Sequence, residues 1–450
     1  MNFLRSSGAV LCVCRRCAPF LALAVLVSCA RAASDAASHP TATVSPGNQP
    51  AVPEPRPAEA AVTGDAFAAR VEVDAFASVS AIPPEAAFQS APRGDGESFL
   101  SQARTLFRVA ACGPSGDVPT RFDAAVVARH CEQLAHAYDD YRRTWVDVAK
   151  PFIASLRPQT LPSVVVYPFG GGDLVSALAT FPDASTITTI SLEPAGDIRP
   201  VDTMGPDRLA QELAEHRAHL ERLFEKAHSR TDNLEKEART ALPGELVFAL
   251  AALVVHGAEP LALRYFQLAA DGSPSYVSRA ELDAAKTSAA RRLLFANAEL
   301  SFRRAGDDRA PVQMLRHLSF NLDDAHLKAD PSLIAYLNTL APAGRVAAMT
   351  KAATHLLWND HFSLVRGWLL DHTDWMISDS TGIPPRIAGP AGFTQDTYGM
   401  FDGPAPFGMP DGRDGDDLKK LFKSRPARDL AFRYGYPDRS GHAHLVVTHR

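Results

Sequence analysis

The stretch SVVVYPFGGGDLVSALATFPDASTITTISLEPAG, residues 163–196, decides the predicted fold. It opens with a continuous apolar, β-branched run of strand length, and the segment that follows the three glycines has helical spacing. A second β-branched run occupies residues 186–191. A strand, a tight turn, a helix and a strand in this order form a βαβ unit, whose strands are parallel. The sequence therefore predicts an α/β fold with a mixed, mostly parallel sheet and flanking helices.

The same patterns extend the predicted α/β domain over residues 159–450. A helical pattern covers 345–370, and two final runs, 430–436 and 443–449, flank the turn PDRSG and predict a terminal antiparallel hairpin. Because an α/β body that ends in a hairpin is also typical of methyltransferases, a Rossmann- or methyltransferase-like topology is compatible with the sequence. Further strand-like runs are found at 261–268, 297–303 and 313–320.

Two amphipathic helical patterns precede the βαβ unit, over residues 99–110 and 127–148. They predict an N-terminal helical cap over residues 96–158. Cys112 and Cys131 lie within this segment, and an even pair of cysteines in an oxidising compartment predicts a disulfide. Two buried thiols are the alternative.

The N-terminus predicts export. Arg5, Arg15 and Arg16 precede an apolar run that is too short to span a bilayer, so residues 1–28 are predicted to be a secretory signal. LVSC, which ends at Cys29, resembles the lipobox of bacterial lipoproteins, in which this cysteine is acylated. Two or three acyl chains hold a protein on a membrane stably. An ordinary cleaved signal or an uncleaved anchor is the alternative.

Residues 29–95 are predicted to be a disordered tether behind the lipidated cysteine, because alanine, proline and small polar residues cannot bury enough apolar surface to fold. By resemblance to the bacterial sorting rule, Ala30 favours the outer membrane if the host has one. The formal charge of −5 arises from 51 acidic and 46 basic residues. Such a balance gives no field that would gather nucleic acid, so the predicted partners are the membrane and a small-molecule, glycan or protein ligand.

The glycine run, Gly170, Gly171 and Gly172, has two interpretations. Backbone N–H groups after a strand could hold a phosphate at a helix N-terminus, with Glu193 at the end of the next strand as a ribose-binding carboxylate. The pattern is not GxGxxG, however, and Asp173 in the N-cap position would satisfy those N–H groups and repel a phosphate. Nucleotide cofactors are also scarce outside the cytoplasm. We therefore favour a structural turn and predict no cofactor.

Several spaced motifs resemble an uncharacterised family of bacterial lipoproteins and secreted proteins with YPF-S-G-P-D-F and LEP-x-G motifs. YPFGGGD and LEPAG carry the likeness first, with Gly170 and Gly172 standing where the family has serine and proline. The likeness continues in MTKAATHLLW around Lys351, in SDSTGIP around Asp379, in Tyr398-Gly399 and in RYGY. The resemblance implies an envelope location and supplies no reaction.

The candidate cleft lies at the carboxyl ends of the strands, where open α/β sheets bind ligands. Tyr167, Asp173 and Glu193 are expected there. Lys351 and His355, one turn apart on a predicted helix, are candidates to face the same cleft with Asp379, Asp173 or Glu193, and the favoured alternative for them is a helix edge with a structural salt bridge. Because GxSxG, HExxH, Walker and SxxK signatures are missing, a binding or envelope-interaction role is favoured. A hydrolase or transferase that uses the acidic residues is one alternative, and a methyltransferase-like protein, with or without cofactor, is another.

Histidines offer only a weak metal hypothesis. His442 and His444 alternate in a predicted strand and would project from one face, as in some metal sites. Histidines on a terminal hairpin are more often solvated, so no metal is predicted.

Overall fold

The computed structural model describes residues 96–115, 118–226, 240–341, 345–404 and 413–450. The predicted signal segment, the lipidation site at Cys29 and the tether lie outside the described residues. Within these ranges, no helix has both the length and the hydropathy needed to cross a bilayer.

Ten strands form one sheet in the order β4-β3-β5-β6-β2-β1-β7-β8-β10-β9. The strands are β1 Val164–Pro168, β2 Thr186–Ser191, β3 Ala258–Leu268, β4 Pro274–Tyr276, β5 Asn297–Arg304, β6 Gln313–Ser319, β7 Val346–Thr350, β8 Thr373–Ser378, β9 Thr394–Gly399 and β10 His444–His449.

Helices cover both faces of the sheet. In the described residues they are α1 Leu100–Val109, α2 Ala124–Tyr141, α3 Asp147–Leu156, α4 Leu174–Thr180, α5 Pro200–Thr203, α6 Pro206–Lys226, α7 Gly244–Val255, α8 Arg279–Ala284, α9 Ser288–Leu294, α10 Asp324–Ala329, α11 Ser332–Leu340, α12 Ser363–His372, α13 Pro385–Ala388 and α14 Arg413–Ser424. A π-helical turn, Arg142–Val146, joins α2 to α3, and 3-10 helices occupy Ala352–Trp358 and Asp360–Phe362.

The predicted α/β class with a mixed sheet is confirmed. Strands β6, β2, β1, β7 and β8 are parallel neighbours, whereas β3, β4, β5 and β10 enter antiparallel ladders. Of the nine strand pairings in the described chain, four are parallel and five antiparallel, so the prediction of a mostly parallel sheet is wrong, and the parallel strands predicted from the βαβ unit are confined to the centre.

The central strands follow the doubly wound order. When β3, β4 and β5 are set aside as an insertion, the other seven strands, counted along the chain, run 3-2-1-4-5-7-6 across the sheet. The seventh is antiparallel to both of its neighbours. This order is that of the predicted methyltransferase-like topology, and it places the switch point between β1 and β7.

Two hydrophobic clusters lie on opposite faces of the sheet. Alternate residues of β1 separate them: Val165 and Tyr167 belong to one cluster and Val166 to the other. The first cluster also contains side chains of α1, α2, α4 and α7, and the second contains those of α11 and α12. The helices predicted as a cap, residues 96–158, therefore share a core with the sheet.

Two predictions about local structure are wrong. Residues 345–370 do not form one helix, because 346–350 are strand β7 at the centre of the sheet and only α12 covers the end of that range. The terminal hairpin is also absent from the described chain. Residues 444–449 form a strand as predicted, but it pairs with β8 and β9, while 430–436 are irregular.

The disulfide between Cys112 and Cys131 is present, with Cα atoms 5.3 Å apart. Cys131 lies in α2, and Cys112 follows α1 with a positive φ of 61°. On the chain-entropy model, closing a loop of this length stabilises the fold by about 3 kcal/mol. The bond ties the first helix to the second.

Candidate functional site

Lys351 and Asp173 form a buried ion pair where β7 and β1 end. Asp173 is the N-cap of α4, and its carboxylate accepts a hydrogen bond from the backbone N–H of Ser176 at 3.4 Å. Lys351 Nζ lies 2.7 Å from Asp173 Oδ2 and donates to Ser176 Oγ at 2.7 Å. The two charged side chains are 0% and 3% exposed. Because neighbouring parallel strands end at the same edge of the sheet, motifs far apart in sequence meet here.

Two tyrosines surround this pair. Tyr167, in β1, donates its hydroxyl to Asp173 Oδ2 at 2.9 Å. Tyr434 holds its ring centroid 5.5 Å from Lys351 Nζ, close enough for a cation–π attraction, and its hydroxyl is 3.1 Å from Thr180 Oγ1. Burial, and then the charge of Asp173, raises the pKa of Tyr167 well above its usual value. Burial does the same to the pKa of Tyr434, so both rings stay neutral.

Asp379 is the second buried carboxylate of the site, directly after β8. It accepts hydrogen bonds from Thr381 N at 2.8 Å, from Thr381 Oγ1 at 2.5 Å and from Tyr436 N at 2.9 Å. A Cβ on Gly435 would lie 2.0 Å from Asp379 Oδ2, so the RYGY motif needs glycine at this position to approach the carboxylate. The charge of Asp379 also contributes to the raised pKa of Tyr167, which places both carboxylates around the same ring.

The glycine run forms a tight turn from β1 into α4. Phe169 has a positive φ of 59° and Gly171 one of 44°. A bulky residue in this region is strained by about 1 kcal/mol or more, and such strain is typical of functional sites. A Cβ on Gly170 would lie 2.5 Å from the ring of Tyr167, so this glycine lets the turn close over the tyrosine.

Helix α7 packs against the outside of this turn. A Cβ on Gly172 would lie 2.7 Å from the Phe248 ring and 3.1 Å from Glu245 Oε2. The remaining cavity, lined by Gly171, Gly172, Glu245 and His317 among others, measures about 10 Å³. That volume holds about one water molecule. This cavity is therefore too small for S-adenosylmethionine or a dinucleotide.

Two predicted site residues have different surroundings. Glu193 is half-buried after β2, and its backbone carbonyl accepts a hydrogen bond from His317 Nε2 at 2.8 Å. His355 is half-buried within the 3-10 helix that follows Lys351, rather than on the predicted amphipathic helix. The structure thus brings Tyr167, Asp173, Lys351 and Asp379 into one polar cluster.

Three members of the cluster were missed from the sequence. Ser176 and Thr180 lie in the apolar helix DLVSALATF, where they read as small core residues. Tyr434 lies in the run 430–436, for which the sequence predicts a hairpin strand. The signal that could have found Tyr434 is the RYGY motif itself, because its glycine marks a close approach of the backbone to another group.

The structure does not place His442 and His444 as the weak metal hypothesis expected, and it groups His442 with two aspartates instead. His442 precedes β10 instead of alternating within it, so the two rings do not share a strand face. His444 is buried, with its ring centroid 5.1 Å from that of Phe401. His442 Nδ1 lies 2.9 Å from Asp438 Oδ2, and Asp402, Asp438 and His442 have ligand atoms within 4.8 Å of one another.

Hydrogen bonds already engage the carboxylate of Asp438. It accepts from the backbone N–H groups of Asp402, Ser440 and His442 and from the His442 ring. Burial opposes ionisation of Asp438, but these hydrogen bonds outweigh it and hold its pKa below the ordinary value. The arrangement stabilises the loop without an ion, although its donor set would also suit a divalent metal.

Comparison with known proteins gives no further guide. No protein-family model, no curated protein and no solved structure matches the chain.

Proposed function

We propose that the protein is a lipid-anchored extracytoplasmic protein with a binding or envelope-interaction role rather than a catalyst. The observation that carries the non-catalytic part is the Lys351–Asp173 ion pair, which is buried and held by Tyr167 and Ser176. A catalytic acid, base or nucleophile must come within hydrogen-bond reach of its substrate. Here the charged groups are engaged with one another instead.

The anchoring part of the proposal comes from the sequence around Cys29. The segment LVSC at the end of a short apolar run has the pattern of a lipoprotein signal. The disulfide between Cys112 and Cys131 supports an oxidising compartment, because such bonds are rare in the cytosol. The resemblance to secreted proteins and lipoproteins supports the same location, and its motifs YPFGGGD, Lys351, Asp379 and RYGY converge on the buried cluster.

Membrane fractionation and intact-mass analysis test the anchor. The full chain, expressed in a bacterial host, should partition into detergent, start at Cys29 and carry the mass of its acyl chains. Cys29→Ser should move the protein to the soluble fraction or leave the signal uncleaved. Cys17→Ser, a change within the predicted signal, is the matched control and should keep the anchor. An unacylated wild-type protein that retains residues 1–28 in the cytosol contradicts the proposal.

A ligand screen tests the binding role. Metals, sugars, peptidoglycan fragments and nucleotides are added to the purified protein, and a rise in the unfolding temperature reports binding to the folded state. A binding protein should return its ligand unchanged after incubation. S-adenosylmethionine serves as a negative control, since the cavity beside the glycine run holds about one water molecule.

A hydrolase or transferase is the second candidate. It is favoured by the convergence of Asp173 and Asp379 on Tyr167 and Tyr434, whose pKa values both carboxylates raise. Titratable groups clustered in this way are typical of catalytic sites. Chemical conversion of a stabilising ligand, abolished by Asp379→Asn in a folded protein, would establish this candidate and exclude the non-catalytic one.

A further inference from the structure

A second cluster of metal-ligating side chains lies among the N-terminal helices. Cys112, His130 and Cys131 each offer one ligand atom, and these atoms lie within 4.8 Å of one another. In this structure the two sulfur atoms are joined as a disulfide. His130 and Cys131 are consecutive residues of α2, and Cys112 lies just beyond α1.

The hydrogen bond made by His130 fixes the state of its ring. Nε2 lies 2.9 Å from the backbone carbonyl oxygen of Ala110, and a carbonyl can only accept, so Nε2 carries the hydrogen. Nδ1 is then left with a lone pair. Nδ1 is buried and has no hydrogen-bond partner among the described residues, in a side chain that is only 2% exposed.

This arrangement is the one that metal-ligating histidines adopt. Such a ring usually donates its second N–H to a carboxylate or backbone carbonyl, which orients it and raises its basicity. Ala110 supplies that carbonyl here. A buried acceptor without a donor destabilises a fold. The hydrogen bond to Ala110 uses Nε2 and the disulfide uses the two sulfur atoms, so neither contact accounts for the buried Nδ1.

We propose that Cys112, Cys131 and His130 form a zinc site in the reduced protein, and that the disulfide is its oxidised, metal-free form. A dithiol reductant transfers two electrons: the protein S–S bond breaks, the two reductant sulfurs join, and each cysteine gains a proton. Zn²⁺ then displaces both thiol protons and accepts the lone pair of Nδ1. Two thiolates and one imidazole leave a fourth tetrahedral position for water.

Distance and charge both fit this site. Zinc bonds of about 2.3 Å to sulfur and 2.0 Å to nitrogen hold the ligand atoms about 3.6 Å apart, which small side-chain rotations reach from the observed spacing. Cys112 and Cys131 are partly exposed, so reductant and metal can reach them. Two thiolates balance the charge of Zn²⁺, so the occupied site would add no net charge among these helices.

Zinc titration of the reduced full chain tests the proposal. Serine replaces the four cysteines outside the described residues, Cys12, Cys14, Cys17 and Cys29, so that they cannot bind metal. A phosphine reductant opens the disulfide under anaerobic conditions, and a chromophoric chelator competes for the metal. One zinc per chain should bind to the reduced protein and none to the oxidised protein at the same free zinc. Two protons should be released on binding.

Variants on one helix identify the nitrogen ligand. His130→Gln keeps an amide donor for the Ala110 carbonyl and removes Nδ1, so it should weaken zinc binding roughly 100-fold. His136→Gln, at an exposed position on the same helix, is the matched control and should bind as the parent does. Equal affinity of His130→Gln and the parent overturns the proposal, as does a reduced parent that takes up no zinc.

Cobalt spectroscopy decides the matter if His130→Gln fails to fold. Co²⁺ added to the reduced parent should give tetrahedral d–d bands and thiolate charge-transfer absorption. An octahedral spectrum without charge transfer overturns the proposal. Zinc binding that persists in the oxidised protein would assign the metal to other residues, of which Asp402, Asp438 and His442 are the first to change.

Discussion

The buried pair of Lys351 and Asp173 shows how two motifs define a single interior contact. The position of Asp173 follows from helix capping, because a carboxylate after a glycine turn satisfies the first N–H groups of α4. The lysine cannot be derived in this way, since nothing local requires a charge after β7. The ion pair exists because β1 and β7 are neighbours in the sheet, which sequence alone did not establish.

Removing the lysine should leave an uncompensated buried carboxylate. We expect Lys351→Met to destabilise the protein by about 3–5 kcal/mol, because the partner charge remains in an interior without its cation. Urea unfolding at neutral pH measures this change. The double variant Lys351→Met with Asp173→Asn should recover most of the loss, since neither position then carries a charge. Equal destabilisation of the single and double variants would show that the loss is one of packing.

The sequence predicts most of the charged and tyrosine residues of the buried cluster. Tyr167, Asp173, Lys351 and Asp379 were each singled out by a motif, and the structure brings them together. What the sequence could not supply is their burial. That depends on α7 and on residues 430–436, which cover the strand ends through contacts distant in sequence.

At the scale of elements, β7 is the most informative error. Its sequence VAAMT and the following KAATHLL are rich in good helix formers, so a helix was the natural prediction. The structure instead places β7 between β1 and β8, where both of its edges are paired. Tertiary pairing outweighs a local propensity that is worth only tenths of a kcal/mol per residue. The βαβ unit is predicted correctly because its hydrophobic periodicity and its glycine turn indicate the same strand–helix–strand structure.

Helix α12 contains a glycine that the packing does not require. A Cβ on Gly367 would meet nothing within 4 Å, and its backbone is helical. Gly367→Ala should therefore stabilise the protein by about 0.5–1 kcal/mol, since alanine loses less backbone entropy in a helix. Thermal or urea unfolding measures the gain. Gly170→Ala, where the Cβ would lie 2.5 Å from the Tyr167 ring, is the contrasting variant and should destabilise.

At the scale of the whole molecule, buried neutral histidines should make the fold sensitive to acid. Burial lowers the pKa of His216 to about 3 and that of His317 to about 4, from an ordinary value of 6.5. Burial also lowers the pKa values of His130 and His444. As pH falls below about 6.5, the unfolded chain binds protons that the folded chain does not. Each such histidine then costs about 1.4 kcal/mol per pH unit until its folded pKa is reached.

Urea unfolding between pH 7 and pH 5 measures this dependence. The free energy of unfolding should be nearly flat above pH 7 and fall steadily below pH 6. His317→Gln keeps a donor for the Glu193 carbonyl and cannot titrate. It should therefore reduce the slope of the unfolding free energy against pH by about 1.4 kcal/mol per pH unit, the contribution of one proton. A variant with an unchanged slope would show that other groups cause the loss.

The position of β10 in the sheet determines when folding can be completed. This strand lies between β8 and β9, although both precede it along the chain. Among the described strands, β9 has no partner other than β10, so a ribosome must deliver residues 444–449 before that side of the sheet can close. Until then one edge of β8 and the whole of β9 lack the strand that pairs with them.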